Sequence, residues 1–282
     1  MQFRVGHTGI TWGYDLASVE PAVRDVAELG YAAFETFGWI IEPYERDHQP
    51  GGFQALLDNY GIGLGSVYCN TSFIDPAASA DDVAQVLRWA RLAKQLGAQT
   101  IVLQGAGQRP PASYDYKGLA AVFSEIGRRV QDMGLIAAIH PHTGTLIETR
   151  QEIDAVMSAV DPRAVFFAPD TGQIVKGGSD IMEVLRAYGA LVRHVHLKDY
   201  IGGPVRRDAQ GQEIDPTGYV GYTPIGSGAL DMPAIFAFLE EITFRDLVMV
   251  ELDATPHSPR PPREAAEMSK RYLRDRLGQV FR

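Results

Sequence analysis

Short apolar runs punctuate the chain at intervals that suit one strand, one helix and two loops. They are Phe3–Gly9, Tyr31–Thr36, Ile62–Asn70, Thr100–Gly105, Leu135–His142, Ala164–Gly172, Val192–Asp199 and Leu247–Asp253. Each is apolar nearly throughout, the pattern of a strand buried on both faces. Their last residues lie 27 to 37 positions apart, except for the 54 positions between Asp199 and Asp253. Between the runs, apolar positions recur at helical spacing. Val83, Val86, Leu87, Ala90, Ala93 and Leu96 precede the stop at Gly97, and Leu119, Val122, Phe123, Ile126, Val130 and Met133 precede Gly134. Ser18 and Pro21 open a first helix, Thr149 and Glu152 form a capping box before Ile153, and a last helix runs from Arg263 to Leu277. Eight buried strands alternating with helices predict an α/β fold, a single (β/α)8 TIM barrel over 1–282. A doubly wound open sheet is the competitor. Its glycine-rich phosphate loop is not found after the first run, which continues as His7-Thr8-Gly9-Ile10-Thr11-Trp12-Gly13.

The long gap holds a stretch, 200–228, rich in Gly, Pro and charge and weak in periodicity. It reads either as a solvated surface insertion or, because it leaves a strand on the active face of the barrel, as a lid or subunit contact. Tyr219 and Tyr222 would supply its contact area. Residues 256–262 form a proline-rich connector to the last helix.

Charge and composition narrow the function. Of 282 residues, 26 are Lys or Arg and 35 are Asp or Glu, a net charge of −9. An acidic surface is unsuited to non-specific nucleic-acid binding or to docking on an anionic membrane. The single cysteine, Cys69, excludes an internal disulfide and a cysteine-cluster metal site, and fits a reducing cytoplasm. The N-terminus lacks a signal-peptide pattern, and no run has the length of a membrane helix. The expected partner is a small molecule rather than a nucleic acid or a membrane. A homo-oligomer is expected as well, with an additional small subunit as an option.

In a barrel, catalytic groups sit at the carboxyl ends of the strands. Here the apolar runs lead into Glu35, Gln104, His140-Pro141-His142 with Glu148 beyond, Asp170, His196-Leu197-Lys198-Asp199, and Glu251 with Asp253. Buried carboxylates at several strand ends need a cation. A divalent metal suits three carboxylates and an imidazole, with Mn²⁺ first and Mg²⁺, Co²⁺ or Zn²⁺ as alternatives. The competing reading is a set of separate ion pairs, Asp170 with Lys198 for instance.

The ordered runs Gly9-Ile10-Thr11-Trp12-Gly13-Tyr14-Asp15, His140-Pro141-His142-Thr143-Gly144-Thr145-Leu146-Ile147-Glu148, Asp170-Thr171-Gly172-Gln173, His194-Val195-His196-Leu197-Lys198-Asp199, Pro224-Ile225-Gly226-Ser227-Gly228 and Val250-Glu251-Leu252-Asp253 span nearly the whole chain. They resemble the xylose-isomerase-like TIM-barrel superfamily of sugar isomerases and epimerases, and its inosose-dehydratase branch in particular. The resemblance implies a divalent metal held by Glu148, Asp170, His196 and Glu251, with His140 or His142 replacing Glu148 if that acid is not a ligand. It also implies proton abstraction next to the carbonyl of a ketose, inosose or keto-sugar. Isomerase or epimerase is the leading outcome; the alternatives are a lyase (inosose dehydratase, or β-elimination of a 3-keto-glycoside) and a non-catalytic sugar-binding barrel. His142 and Lys198 are the first choices for acid–base and electrophilic roles, beside Glu148 and Glu251. Trp12 or Tyr14, Glu35, Gln104, His140 and Gln173 are the expected substrate contacts. Gln173 stands where the family usually has His.

Overall fold

The computed structural model describes residues 1–48, 50–105, 109–202, 220–254 and 258–281. Eight strands form one parallel sheet: β1 (Arg4–Thr8), β2 (Phe34–Phe37), β3 (Leu64–Asn70), β4 (Thr100–Gln104), β5 (Ile136–Ile139), β6 (Val165–Phe167), β7 (Val195–Leu197) and β10 (Leu247–Val250). Their order is β6-β5-β4-β3-β2-β1-β10-β7. The outer strands β6 and β7 meet through isolated parallel bridges, Phe167 with Val192 and Asp170 with His196, so the sheet closes on itself. The predicted TIM barrel is the observed architecture. The strands alternate with helices that include Val19–Glu28, Ala80–Gln95, Tyr116–Asp132, Arg150–Met157, Ile181–Tyr188, Met232–Glu241 and Pro262–Leu277. After β2, where the alternation predicts one helix ending at Gly61, there are two, Gly38–Asp47 and Gly52–Tyr60.

Local signals explain the elements. Gly97 and Gly134 adopt φ of 78° and 75°, the left-handed turn that returns each helix to the next strand. The capping box is formed: Thr149 accepts the Glu152 N–H, and Glu152 accepts the Thr149 N–H. At the first helix it is Asp15, not Ser18, whose carboxylate caps the chain, accepting the Ser18 N–H at 2.9 Å. Inside the barrel, the ring opposite the functional end is filled by Ala33, Leu247 and Met249. Gly6 and Gly65 make room for them, since a Cβ on either would lie 2.5 Å or less from Met249 or Leu247.

The inserted stretch begins and ends as an antiparallel pair, β8 (Asp199–Tyr200) with β9 (Tyr222–Thr223). Asp199 ties its base, accepting backbone N–H groups from Tyr200, Gly226 and Gly228 at 2.9 Å and from Leu230 at 3.3 Å. The body of the insertion, 203–219 with Tyr219, and residues 255–257 of the connector lie outside the described residues.

Candidate active site

The strand ends converge on a buried cluster. His140 follows β5 directly and donates its backbone N–H to the Leu103 carbonyl at 2.9 Å. Asp170 ends the β6 segment and caps the short helix Thr171–Lys176: one carboxylate oxygen accepts the Gln173 N–H at 2.8 Å. Helix capping thereby fixes its other oxygen. His196 is the central residue of β7, and Lys198 is two residues on, so the strand period sends both to one face. Glu251 follows β10, its N–H held by the Leu197 carbonyl at 3.0 Å. His140, Asp170, His196 and Lys198 are completely buried, and Glu251 nearly so.

The polar atoms inside this cluster are unusually bare. Both ring nitrogens of His140, both of His196 and Oδ2 of Asp170 are buried without a hydrogen-bond partner. One donor atom each from His140, Asp170 and His196 lie within 4.8 Å of one another. His196 Nδ1 stands 2.7 Å from Glu251 Oε2 and Nε2 2.8 Å from Glu35 Oε1, close approaches that lack hydrogen-bond direction. Orphaned buried donors are costly. Two imidazoles and two carboxylates are a donor set that fits a divalent cation. Lys198 supplies a cation of the protein's own, with Nζ at 2.7 Å from Glu251, 3.0 Å from Asp253 and 3.4 Å from Asp170. The Asp170–Lys198 pair of the competing reading is thus present, but within one shared buried cluster.

Burial and charge set the protonation states. Burial pushes the Asp170 carboxyl up to about 6 against the pull of Lys198. For Glu251 burial is outweighed by Lys198 and His196, which hold it well below the usual carboxylate range. Burial opposes the charged form of His196, yet Glu35 and Glu251 keep its pKa above the ordinary value. Burial lowers both His140 and His142, the former also because His196 lies beside it.

Above the cluster opens a cavity of about 440 Å³ whose lining includes Tyr14, Gln104, His142, Tyr222, Glu251 and Asp253. His142 and Gln104 therefore stand where the sequence placed them. Tyr222 comes from β9 and puts its hydroxyl 2.5 Å from Gln173 Oε1. Four expectations are corrected. Glu148 is not in the cluster: its carboxylate accepts the Gly144 N–H at 2.5 Å and faces Arg109 at 3.6 Å, on the outer side of the loop. At the end of β5 it is His140 that sits beside Asp170 and His196, the replacement offered above for Glu148. Trp12 turns away, donating Nε1–H to Asp25 at 2.9 Å; its neighbour Tyr14 lines the cavity. Glu35 is buried beneath the site, bonded to Ser66 and, at 3.0 Å, to His194 Nε2, so it touches His196 and not the cavity. Gln173 lies behind His142, its Nε2 2.8 Å from His142 Nε2, while its Oε1 accepts from Thr143 Oγ1 at 2.7 Å. The sequence reading missed Phe37, Trp39 and Tyr68, which also line the cavity. They belong to apolar runs that read equally well as core.

A family model described as the xylose isomerase-like TIM barrel matches residues 23–276. The chain belongs to this family. Among curated relatives, the inosose dehydratase of Geobacillus kaustophilus is 29% identical over 98% of this chain and 94% of its own. That of Clostridium botulinum is 30% identical over 91% and 89%. Solved structures of like fold include the IolI protein with a bound zinc atom (TM-score 0.72, 18% identity, 97% of each chain). A D-allulose 3-epimerase from Methylomonas superposes with a TM-score of 0.76 at 16% identity over 98% of each chain. At these identities the structures of other xylose isomerase-like barrels establish the fold. The assignment agrees with the resemblance read from the sequence, and no described helix is long and apolar enough to cross a membrane.

Proposed function

We propose that this protein is a divalent-metal-dependent enzyme that removes a proton next to the carbonyl of a keto-sugar or inosose. The observation that carries the reading is the buried, under-bonded set His140, Asp170 and His196, with Glu251 beside it, on the floor of the cavity. These four residues would hold the metal, Mn²⁺ first and Mg²⁺, Co²⁺ or Zn²⁺ as alternatives, and the ion would supply Lewis-acid polarisation of the substrate carbonyl. Glu35 and His194 brace His196 from below, as outer partners of a ligating imidazole do.

His142 is the group placed to take the proton. It lines the cavity, and burial keeps it neutral. Its Nδ1 faces the Thr143 carbonyl at 2.7 Å, which leaves Nε2 as the acceptor. Gln173 reaches that nitrogen and yields it to substrate. Lys198 orients Glu251 and adds positive charge beside the reacting oxygen. Returning the proton to substrate gives an isomerase or epimerase, the outcome the sequence reading favours. Losing a β-hydroxyl instead gives a dehydratase, the second reading, which the near-full-length likeness to inosose dehydratases supports.

The test has two arms. Glu251→Gln and His196→Ala should each lose metal in elemental analysis of protein reconstituted with Mn²⁺, by about tenfold or more in affinity, with little loss of fold. Full occupancy in both variants refutes the ligand set. In D₂O, with ketoses, inososes and 3-keto-glycosides, the product mass decides the outcome. Gain of deuterium alone marks an isomerase or epimerase, and loss of water marks a dehydratase.

A further inference from the structure

The cavity lining combines polar groups, His142, Thr143, Lys176 and Asp253 among them, with four aromatic rings in mutual contact, Tyr14, Phe37, Trp39 and Tyr68. The four rings form a continuous series that starts at the buried cluster. Tyr68 lies 5.2 Å from His140 and 6.0 Å from His196, nearly parallel to the latter. Phe37 is 5.5 Å from Tyr68 and stacks on Trp39 at 4.2 Å. Tyr14 continues the stack beyond Phe37, at 6.3 Å and 18°. The series reaches solvent at Tyr14, which is 52% exposed. The other exposed large apolar side chains among the described residues are Met1 and Val280, both at chain ends. Tyr14 thus carries the ring series from the cavity interior to its rim.

The chemistry of a ligand along this series follows from what faces it. A bare polyol ring offers one small C–H face, which a single aromatic ring covers. A wall of four rings leading outward matches a longer apolar group. The one cation among the described lining residues, Lys176, packs over the Tyr222 ring and donates Nζ–H to the Val220 carbonyl at 2.8 Å. Among the described residues no cation packs on the four rings, so these residues offer a phosphate or carboxylate lying along them no counter-charge.

We propose, resting on the keto-sugar reading above, that the substrate carries an uncharged apolar substituent, an aromatic aglycone above all. It lies along Tyr14, Phe37 and Trp39 while the carbonyl end of the ring faces the cluster. Tyr14 is the specificity-determining residue of this wall. Methyl β-D-glucopyranoside and phenyl β-D-glucopyranoside test it by equilibrium titration, followed through tryptophan fluorescence because Trp39 is in the wall. Neither probe has a carbonyl to react, so the readout is binding alone. The phenyl glucoside should bind about two- to tenfold more tightly, the range of one good aromatic contact. Tyr14→Ala, at an exposed position, should bring the ratio of the two affinities close to one. Equal affinities in the wild type, failure of the phenyl probe to bind, or an unchanged ratio in Tyr14→Ala overturns the proposal. A phenyl preference that Tyr14→Ala abolishes, in a protein without metal-dependent proton exchange, upholds it and refutes the catalytic reading alone.

Discussion

Glu152 joins the helix Arg150–Met157 to the loop that carries His142 and Thr143, and its removal should cost stability in a pH-dependent way. The carboxylate accepts the Glu148 and Thr149 N–H groups at 2.8 Å and Arg109 Nη1 at 3.0 Å. Burial raises its pKa, but Arg109 and the two backbone donors win and hold it at about 2, against an ordinary 4.5. That difference corresponds to about 3 kcal/mol. Water reaches the Arg109 side of the pair, 40% exposed, and screens it, so about 1.5–2 kcal/mol is expected. A folded-state pKa below the unfolded one stabilises the fold above the unfolded value. The contribution is complete above about pH 5 and is lost as pH falls through 4.5 towards 2. Glu152→Gln keeps the size and one acceptor but removes the charge. Urea unfolding should show the full loss between pH 6 and 8 and about half of it at pH 3. A loss below about 0.5 kcal/mol at neutral pH, or one equal at pH 3 and pH 7, would refute the argument.

Three other substitutions probe the assignments. Trp12→Phe removes the bond to Asp25 and should cost about 1 kcal/mol in urea unfolding with kcat/KM unchanged; a fall of about tenfold in kcat/KM would return Trp12 to the substrate site. Asp199→Ala strips the acceptor from the N–H groups of Tyr200, Gly226, Gly228 and Leu230 and should destabilise by about 3 kcal/mol or more, so a cost under about 1 kcal/mol would show the turn to be held by other means. Gly38→Ala would put a Cβ 2.3 Å from the Trp89 ring; thermal unfolding should reveal a loss of about 1–3 kcal/mol, and an unchanged Tm would mean that the ring moves freely.

The chain shows its barrel and most of its site openly because both depend on one pattern. A parallel strand buried on both faces must be apolar, so a polar residue at its end stands out. Asp170, His196, Lys198 and Glu251 stand out this way, and the fold gathers them into one buried cluster. Strands are shorter than the apolar runs that hold them: Ala164–Gly172 yields a ladder only over Val165–Phe167, because Pro169 has no N–H and Asp170 already caps a helix. Spacing alone misplaces Glu148, because position along a loop does not say which way the loop turns; Arg109 and the Gly144 N–H decide that. Trp12 and Tyr14 were equivalent in sequence, and the 3-10 turn Gly9–Thr11 points them to opposite sides. Phe37, Trp39 and Tyr68 could not be told from core, since a ring lining a cavity and a ring filling one have the same signature in an apolar run.

The closure of the barrel between β6 and β7 rests on two isolated bridges, and one of them joins Asp170 to His196. The hoop is thus fastened at its thinnest joint by two residues of the buried cluster. Whatever occupies these two side chains together works as a clasp on the whole ring. Occupancy should slow amide exchange across β6 and β7 and harden the chain against proteases. A descendant that traded either residue away would lose more than turnover. Its barrel would come undone along that seam sooner, and selection would see the loss as a shorter-lived protein.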